Sequence, residues 1–170
     1  MMKRLLVGVL VILGLMCSFC EAGSSNYNRA YDRSLDNSAI ALGGITFGMS
    51  TTEVESIYGR PTKVTEEHID HLRGGKSFSY IYGDSFEIMF NKGGVSNVTT
   101  KANNGIATPA GLHVGDQKGK IITTYGNPWY YYNNEKDGRE TFSYRAENYS
   151  AIRFDVYNGQ ITSICIIGMD

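Results

Sequence analysis

The chain has 170 residues, 42% of them hydrophobic and 19% charged, which excludes a disordered tail or a collagen-like fibre and suits one or two small globular domains. Its 16 basic and 17 acidic residues leave a formal charge of −1, so no positive field is available to hold a phosphate backbone, and no nucleic-acid partner is expected. With 20 Gly and 12 Tyr against 3 Pro, the chain favours turns and half-buried aromatic strands, which points towards β structure.

Residues 1–22 read as a secretory signal peptide. Lys3 and Arg4 precede an apolar run over 5–16, and Cys20-Glu21-Ala22 places small side chains where a signal peptidase reads them. The run is shorter than the roughly 20 residues of a permanent membrane helix, so the expectation is a secreted or periplasmic protein without a transmembrane helix after cleavage. Cys17 and Cys20 raise lipid anchoring as the alternative, although neither follows the Leu, small, small pattern of a bacterial lipobox. Cleavage after Ala22 leaves Cys165 as a lone cysteine that cannot form an intramolecular disulfide. Set within Ile164-Cys165-Ile166-Ile167, it reads as a buried small hydrophobe. Residues 23–43 read as a flexible leader.

An internal repeat organises the rest. Gly44-Ile45-Thr46-Phe47-Gly48 corresponds to Gly111-Leu112-His113-Val114-Gly115, and Tyr58-Gly59-Arg60-Pro61 to Tyr125-Gly126-Asn127-Pro128, in one shared register. Phe78-Ser79-Tyr80 against Phe142-Ser143-Tyr144 continues the match, as do Phe86, Ile88 and Phe90 against Ile152, Phe154 and Val156, with the drift that loop insertions produce. The signature positions are Gly48, Tyr58, Gly59 and Pro61, and Gly115, Tyr125, Gly126 and Pro128. They divide the chain into a first repeat over 44–104, a linker over 105–110 and a second repeat over 111–170.

In chain order, Ser50-Thr51-Thr52-Glu53 has the form of a capping box. Val54, Ile57 and Tyr58 then form one apolar stripe, Gly59 supplies a left-handed stop, and Pro61 prevents continuation. These signals predict a short helix over 51–58. Period-two alternation follows in Phe78, Tyr80 and Tyr82, then in Phe86, Ile88 and Phe90, then in a strand over 95–101, joined by hairpin turns at Gly83-Asp84 and Lys92-Gly93-Gly94. In the second repeat Asp116 is expected to cap a helix with Ile121 and Tyr125 on its stripe, weakened by Gly119. Ile152, Phe154 and Val156 then alternate with Arg153, Asp155 and Tyr157, as in a sheet covered on one face. The expected fold class is α+β: two tandem repeats, each a short helix packed on an antiparallel meander of three to four strands. At about 60 residues each, neither buries much core alone, so the two are expected to pack together or extend a common sheet.

The short strand, the Gly-Met-Ser-Thr-Thr-Glu-Val helix start, the Tyr-Gly-Arg-Pro helix stop and the following meander resemble the BamE/SmpA-like and β-lactamase-inhibitor-protein (BLIP)-like superfamily, the tandem arrangement being more similar to the inhibitor type. The resemblance spans roughly residues 44–168. It implies an extracytoplasmic α+β binding module without catalytic residues. Its motif is a fold signature, and no family binding residue transfers to positions here.

Chemistry-bearing residues are few. Three His and one apolar-embedded Cys offer little material for acid, base or nucleophile, and no Gly-x-Ser-x-Gly, phosphate-binding glycine loop or zincin helix is present. No catalytic residue and no cofactor are therefore assigned. Glu66-Glu67-His68-Ile69-Asp70-His71 could place His68 and His71 on one metal ion if the segment forms a helical turn; the plainer reading is a solvated charged loop. Trp129-Tyr130-Tyr131-Tyr132 is the more informative stretch, because Trp and Tyr give large contact area at low rotamer cost. Alternation exposes one pair, which with Arg145, Arg153 and Tyr157 would form a binding face on the sheet side away from the helices. The plainer reading has these tyrosines packing between the two repeats. The favoured function is a secreted or periplasmic, non-enzymatic binding or envelope-associated module engaging a protein partner. The alternative is a metal- or small-ligand-binding protein using His68 and His71.

Overall fold

The computed structural model describes residues 34–70, 75–134, 136–148 and 150–168. The expected signal peptide and most of the expected leader lie outside them, as does His71. Helix α1, Thr51–Tyr58, starts on the capping box: the Ser50 hydroxyl accepts from the Glu53 amide, and the Glu53 carboxylate accepts from the Ser50 amide at 2.7 Å. It ends at Gly59, whose φ of 72° few side chains adopt. Helix α2, Gly119–Tyr125, also ends on a left-handed glycine, Gly126, but it has no side-chain cap at its start. Asp116 does not cap it as expected. Its carboxylate instead accepts from the His113 amide at 3.1 Å and from the Lys120 ammonium.

The described residues form nine strands: β1 Lys63–Val64, β2 His68–Asp70, β3 Gly75–Tyr82, β4 Phe86–Asn91, β5 Gly94–Thr100, β6 Tyr130–Asn134, β7 Arg139–Arg145, β8 Ser150–Tyr157 and β9 Gln160–Gly168. Strand β4 shows the expected alternation of burial, whereas β6 does not bury one pair of its aromatic residues, Tyr130, Tyr131 and Tyr132 all being exposed. All pair antiparallel in one sheet of order β1-β3-β4-β5-β9-β8-β7-β6, with β2 as a further partner of β3.

This sheet corrects the expected fold class. The chain is mostly one antiparallel sheet carrying two short helices, not two helix-on-meander repeats. The join lies between β5 and β9, where Val98 opposes Ile166 and Thr100 opposes Ile164. The physical reason is that a unit of about 60 residues buries little core and would leave β5 and β9 as exposed edges. Pairing those edges satisfies both and merges the apolar faces. The resulting core is one cluster containing Val54 of α1, Ile121 of α2, Phe90, Val98, Phe154 and Ile166.

Both helices sit on the same face of the sheet through their closing tyrosines. Tyr58 lies 5.3 Å from Tyr82 and 5.1 Å from Phe86, ring centre to ring centre, and Tyr125 lies 5.2 Å from Tyr144 and 5.4 Å from Phe154. The Tyr82 and Tyr144 hydroxyls donate to the carbonyls of Gly59 and Gly126, anchoring each helix stop to a strand. The end of the expected leader also belongs to the fold: Ile40, Ala41 and Leu42 are buried, and the Leu35 amide donates to the Arg145 carbonyl at 2.8 Å. Their apolar run outweighs the polarity of the residues before them.

Candidate functional site: the helix-free face of the sheet

With both helices on one side, period-two alternation sends every second residue of β6 to β9 to the other side. Phe142, Phe154 and Ile164 face the helices and are buried. The residues between them form two cross-strand rows on the helix-free face. One row runs Tyr130, Ser143, Arg153, Cys165, Thr99; the next runs Tyr132, Thr141, Asp155, Ser163.

Large and small side chains divide the labour along these rows. Ser143, Ala151 and Cys165 are buried although they point away from the core, because larger neighbours overhang them. Trp129, Tyr130, Tyr132, Arg153 and Ile167 surround Ser143 and Ala151 in an open depression of about 340 Å³, with Thr141 completing the lining. Trp129 is 42% and Tyr132 47% exposed, so aromatic surface remains available at the rim. The Arg145 guanidinium lies 5.5 Å from the centre of the Trp129 ring, a cation–π contact.

Two further depressions adjoin the first. One, of about 850 Å³, shares Tyr132 and Thr141 with it and includes Asp155 and Tyr157. The other, of about 590 Å³, shares Arg153 and Ile167 and reaches Asn97, Thr99 and Glu87. Together they make one trough across the helix-free face, with a bulge at Asp155 and Val156 shifting the β8 register beside it.

The first depression holds one charged residue, Arg153, while its neighbours carry both signs of charge, with Lys136, Asp137, Arg139, Glu140 and Asp155 in one and Glu87, Lys101 and Asp155 in the other. Arg153 Nη2 stands 3.4 Å from Asp155 Oδ2, and Asp155 Oδ1 accepts from the Thr141 hydroxyl at 3.1 Å. Burial pushes the Cys165 thiol up from its ordinary range, opposed by the Thr99 hydroxyl at 3.2 Å. Cys165 therefore stays a neutral thiol and serves as a small floor residue.

Six of the seven residues singled out from sequence share this face. Trp129, Tyr130, Tyr132 and Arg153 line one depression, Arg145 touches Trp129, and Tyr157 lines the neighbouring depression with Tyr132. Tyr131 is separate. Its ring packs 4.9 Å from Phe142, and its hydroxyl donates to Glu140, which also accepts from Lys118 at 2.6 Å. Thr141, Ser143, Ala151, Asp155 and Ile167 were missed, since only strand register brings them beside the aromatic residues. The sole sequence signal for Thr141 and Ser143 was their alternation with Phe142 and Tyr144.

The metal reading required a helical turn at His68. Residues 68–70 form strand β2 instead, and His71 lies outside the described residues. Among the described residues, no group of three or more His, Cys, Asp or Glu could hold a metal ion. No helix among them is long and apolar enough to cross a membrane.

No family model and no curated protein matches the chain. Among solved structures, the chain is similar to a DUF4309 family protein (YjgB) from Bacillus subtilis, with 11% identity, a TM-score of 0.40, and coverage of 85% of this chain and 93% of that one.

Proposed function

We propose that the protein is an extracytoplasmic, non-enzymatic binding module, secreted or associated with the cell envelope, that engages a protein partner through the helix-free face of its sheet. The observation that carries this reading is the trough itself. Three adjoining depressions lie on this face between β4 and β9; exposed Trp129 and Tyr132 and half-buried Arg153 rim the first, and Tyr132 and Arg153 are each shared with a neighbour. Trp, Tyr and Arg are the residue types that dominate protein interfaces. An antiparallel sheet covered on one side can spend its other side on recognition. The extracytoplasmic part of the reading is supported by Lys3, Arg4, the apolar run over 5–16 and the small residues at Cys20 and Ala22.

Site-directed photo-crosslinking tests the reading. A benzoylphenylalanine replacing Tyr132 should give a discrete protein adduct in the extracytoplasmic fraction, whereas one replacing Ile122, which is exposed on α2, should give none. Equal adducts from both positions, or none from either, would reject the trough as the binding face.

A further inference from the structure

The helix-free face sets flat aromatic rings beside short polar groups that donate and accept at close quarters. One cross-strand row runs from Tyr130 through Ser143, Arg153, Cys165 and Thr99 to Glu87; at about 4.8 Å for each strand spacing, it is roughly 24 Å long. Exposed Trp129 and Tyr132 stand at its β6 end, and exposed Tyr157 stands in the adjoining depression. The hydroxyls of Tyr130, Tyr132, Thr141 and Ser143 line the first depression, and a hydroxyl both donates and accepts. Arg153 Nη2 and Asp155 Oδ2 lie 3.4 Å apart, a loose pair, and Arg153 Nε is buried with no hydrogen-bond partner among the described residues. Across the three depressions, carboxylates and cations are equal in number.

That mixture selects among ligand chemistries. Opposite charges in equal number give no net field to attract an acid or a base. An apolar chain would leave Thr141, Ser143, Arg153 and Asp155 covered with nothing to bond, at about 1–3 kcal/mol for each group. A polypeptide spends its main-chain groups best on a sheet edge, whereas this face offers side chains alone. A pyranose chain meets each feature in turn. Its hydroxyls donate and accept, so two neighbouring ones can donate to Asp155 and accept from Arg153. Its C–H groups carry slight positive charge and suit the negative faces of Trp and Tyr rings. A sugar with equatorial hydroxyls presents two such flat faces, and β-linkage keeps a chain of them extended along the trough.

We propose that the trough binds an uncharged, β-linked oligosaccharide chain carried by the protein partner. Trp129 and Tyr132 stack on sugar rings at the β6 end, and Arg153 with Asp155 bonds a pair of adjacent hydroxyls farther in. The proposal rests on the binding face argued above and names the part of the partner that lies in it.

Trp129 is the only tryptophan of the chain, so its fluorescence reads the trough directly. The probes are cellohexaose, chitohexaose, hexagalacturonate and decaproline, each titrated into the full chain. At least one of the two neutral hexasaccharides should change Trp129 emission saturably, with an affinity that salt leaves unchanged; hexagalacturonate and decaproline should not. Arg153→Gln and Asp155→Asn should each weaken that binding at least tenfold while melting stays cooperative. Tyr132→Ala should weaken it severalfold, Tyr132→Phe should restore it by keeping the ring, and Ile122→Ala on α2 should leave it unaltered. No response to either neutral hexasaccharide, wild-type affinity in Arg153→Gln, or equally tight binding of hexagalacturonate or decaproline would overturn the proposal. The hexasaccharide in excess should also suppress the protein adduct from position 132. An adduct persisting alongside silent titrations would remove the oligosaccharide while leaving the binding face; loss of both would remove the face as well.

Discussion

Val98 and Ile166 oppose each other across β5 and β9, both completely shielded from solvent. This pair sits where the first half of the sheet becomes the second, so its burial belongs to neither half alone. Ile166→Ala should cost about 3 kcal/mol, the usual range for truncating a large aliphatic side chain in a core. Denaturant unfolding should remain a single transition with a lower midpoint. A fragment covering residues 34–104 should fail to melt cooperatively, because it would expose the β5 edge and half of the core. A fragment that melts cooperatively would show that the halves are independent after all.

The Tyr58 hydroxyl donates to the Gly43 carbonyl at 2.6 Å, tying the end of α1 to the segment that enters the core. Gly43 has a φ of 61°, and a Cβ there would come within 2.3 Å of that hydroxyl. Tyr58→Phe should cost about 1 kcal/mol for the lost bond. Gly43→Ala should cost more, roughly 1–3 kcal/mol, since it adds left-handed backbone strain to the same loss. In the double variant, removing the hydroxyl relieves the clash, so the two costs should be less than additive in thermal melts.

Asp116 predicts the acid limb of stability. Burial pushes its carboxyl up, but the Lys120 ammonium and the His113 amide more than offset this and hold it below the ordinary carboxylate range. A folded-state value below the unfolded one gives stability that is present above the unfolded pKa of about 3.9 and is lost as pH falls through the folded value. Asp116→Asn should therefore cost about 1–2 kcal/mol near neutral pH. Its melting temperature should fall less steeply than wild type as the pH is lowered below about 4. Parallel wild-type and variant curves through that window would assign the loss elsewhere.

Much of the local structure was legible because its signals are local. The Ser50 and Glu53 capping box, the Gly59 stop and the alternation of Phe86, Ile88 and Phe90 each depend on neighbours a few residues away, and each appears where expected. The small size of each half predicted that the two would pack together or extend a common sheet, but not that β5 and β9 are the strands that join, because Val98 and Ile166 meet only after both halves have formed strands. Asp116 misled for a related reason: its partner Lys120 lies on α2, but the carboxylate turns to the His113 amide instead of the helix start. The aromatic part of the site stood out by composition. Its floor, Ser143 and Ala151, consists of ordinary small residues whose role comes entirely from cross-strand register.

Tyr131 and Tyr132 are adjacent in sequence and opposite in consequence, which allows structure and recognition to be separated on one strand. Tyr131 packs on Phe142 and donates to Glu140 at 2.8 Å, so Tyr131→Phe should cost about 1 kcal/mol of stability. That change leaves the helix-free face untouched, so a benzoylphenylalanine replacing Tyr130 should still give the protein adduct in the same yield. Tyr132 stands on the rim, 47% exposed and opposite Thr141. Tyr132→Ala should cost only about 0.2–1 kcal/mol from the lost cross-strand contact, yet reduce the adduct from position 130 severalfold. Chemical denaturation and adduct yield for the same two variants give the comparison. If affinity instead follows stability, with Tyr131→Phe the more damaging to binding, the aromatic strand acts through packing and the rim has no part in recognition.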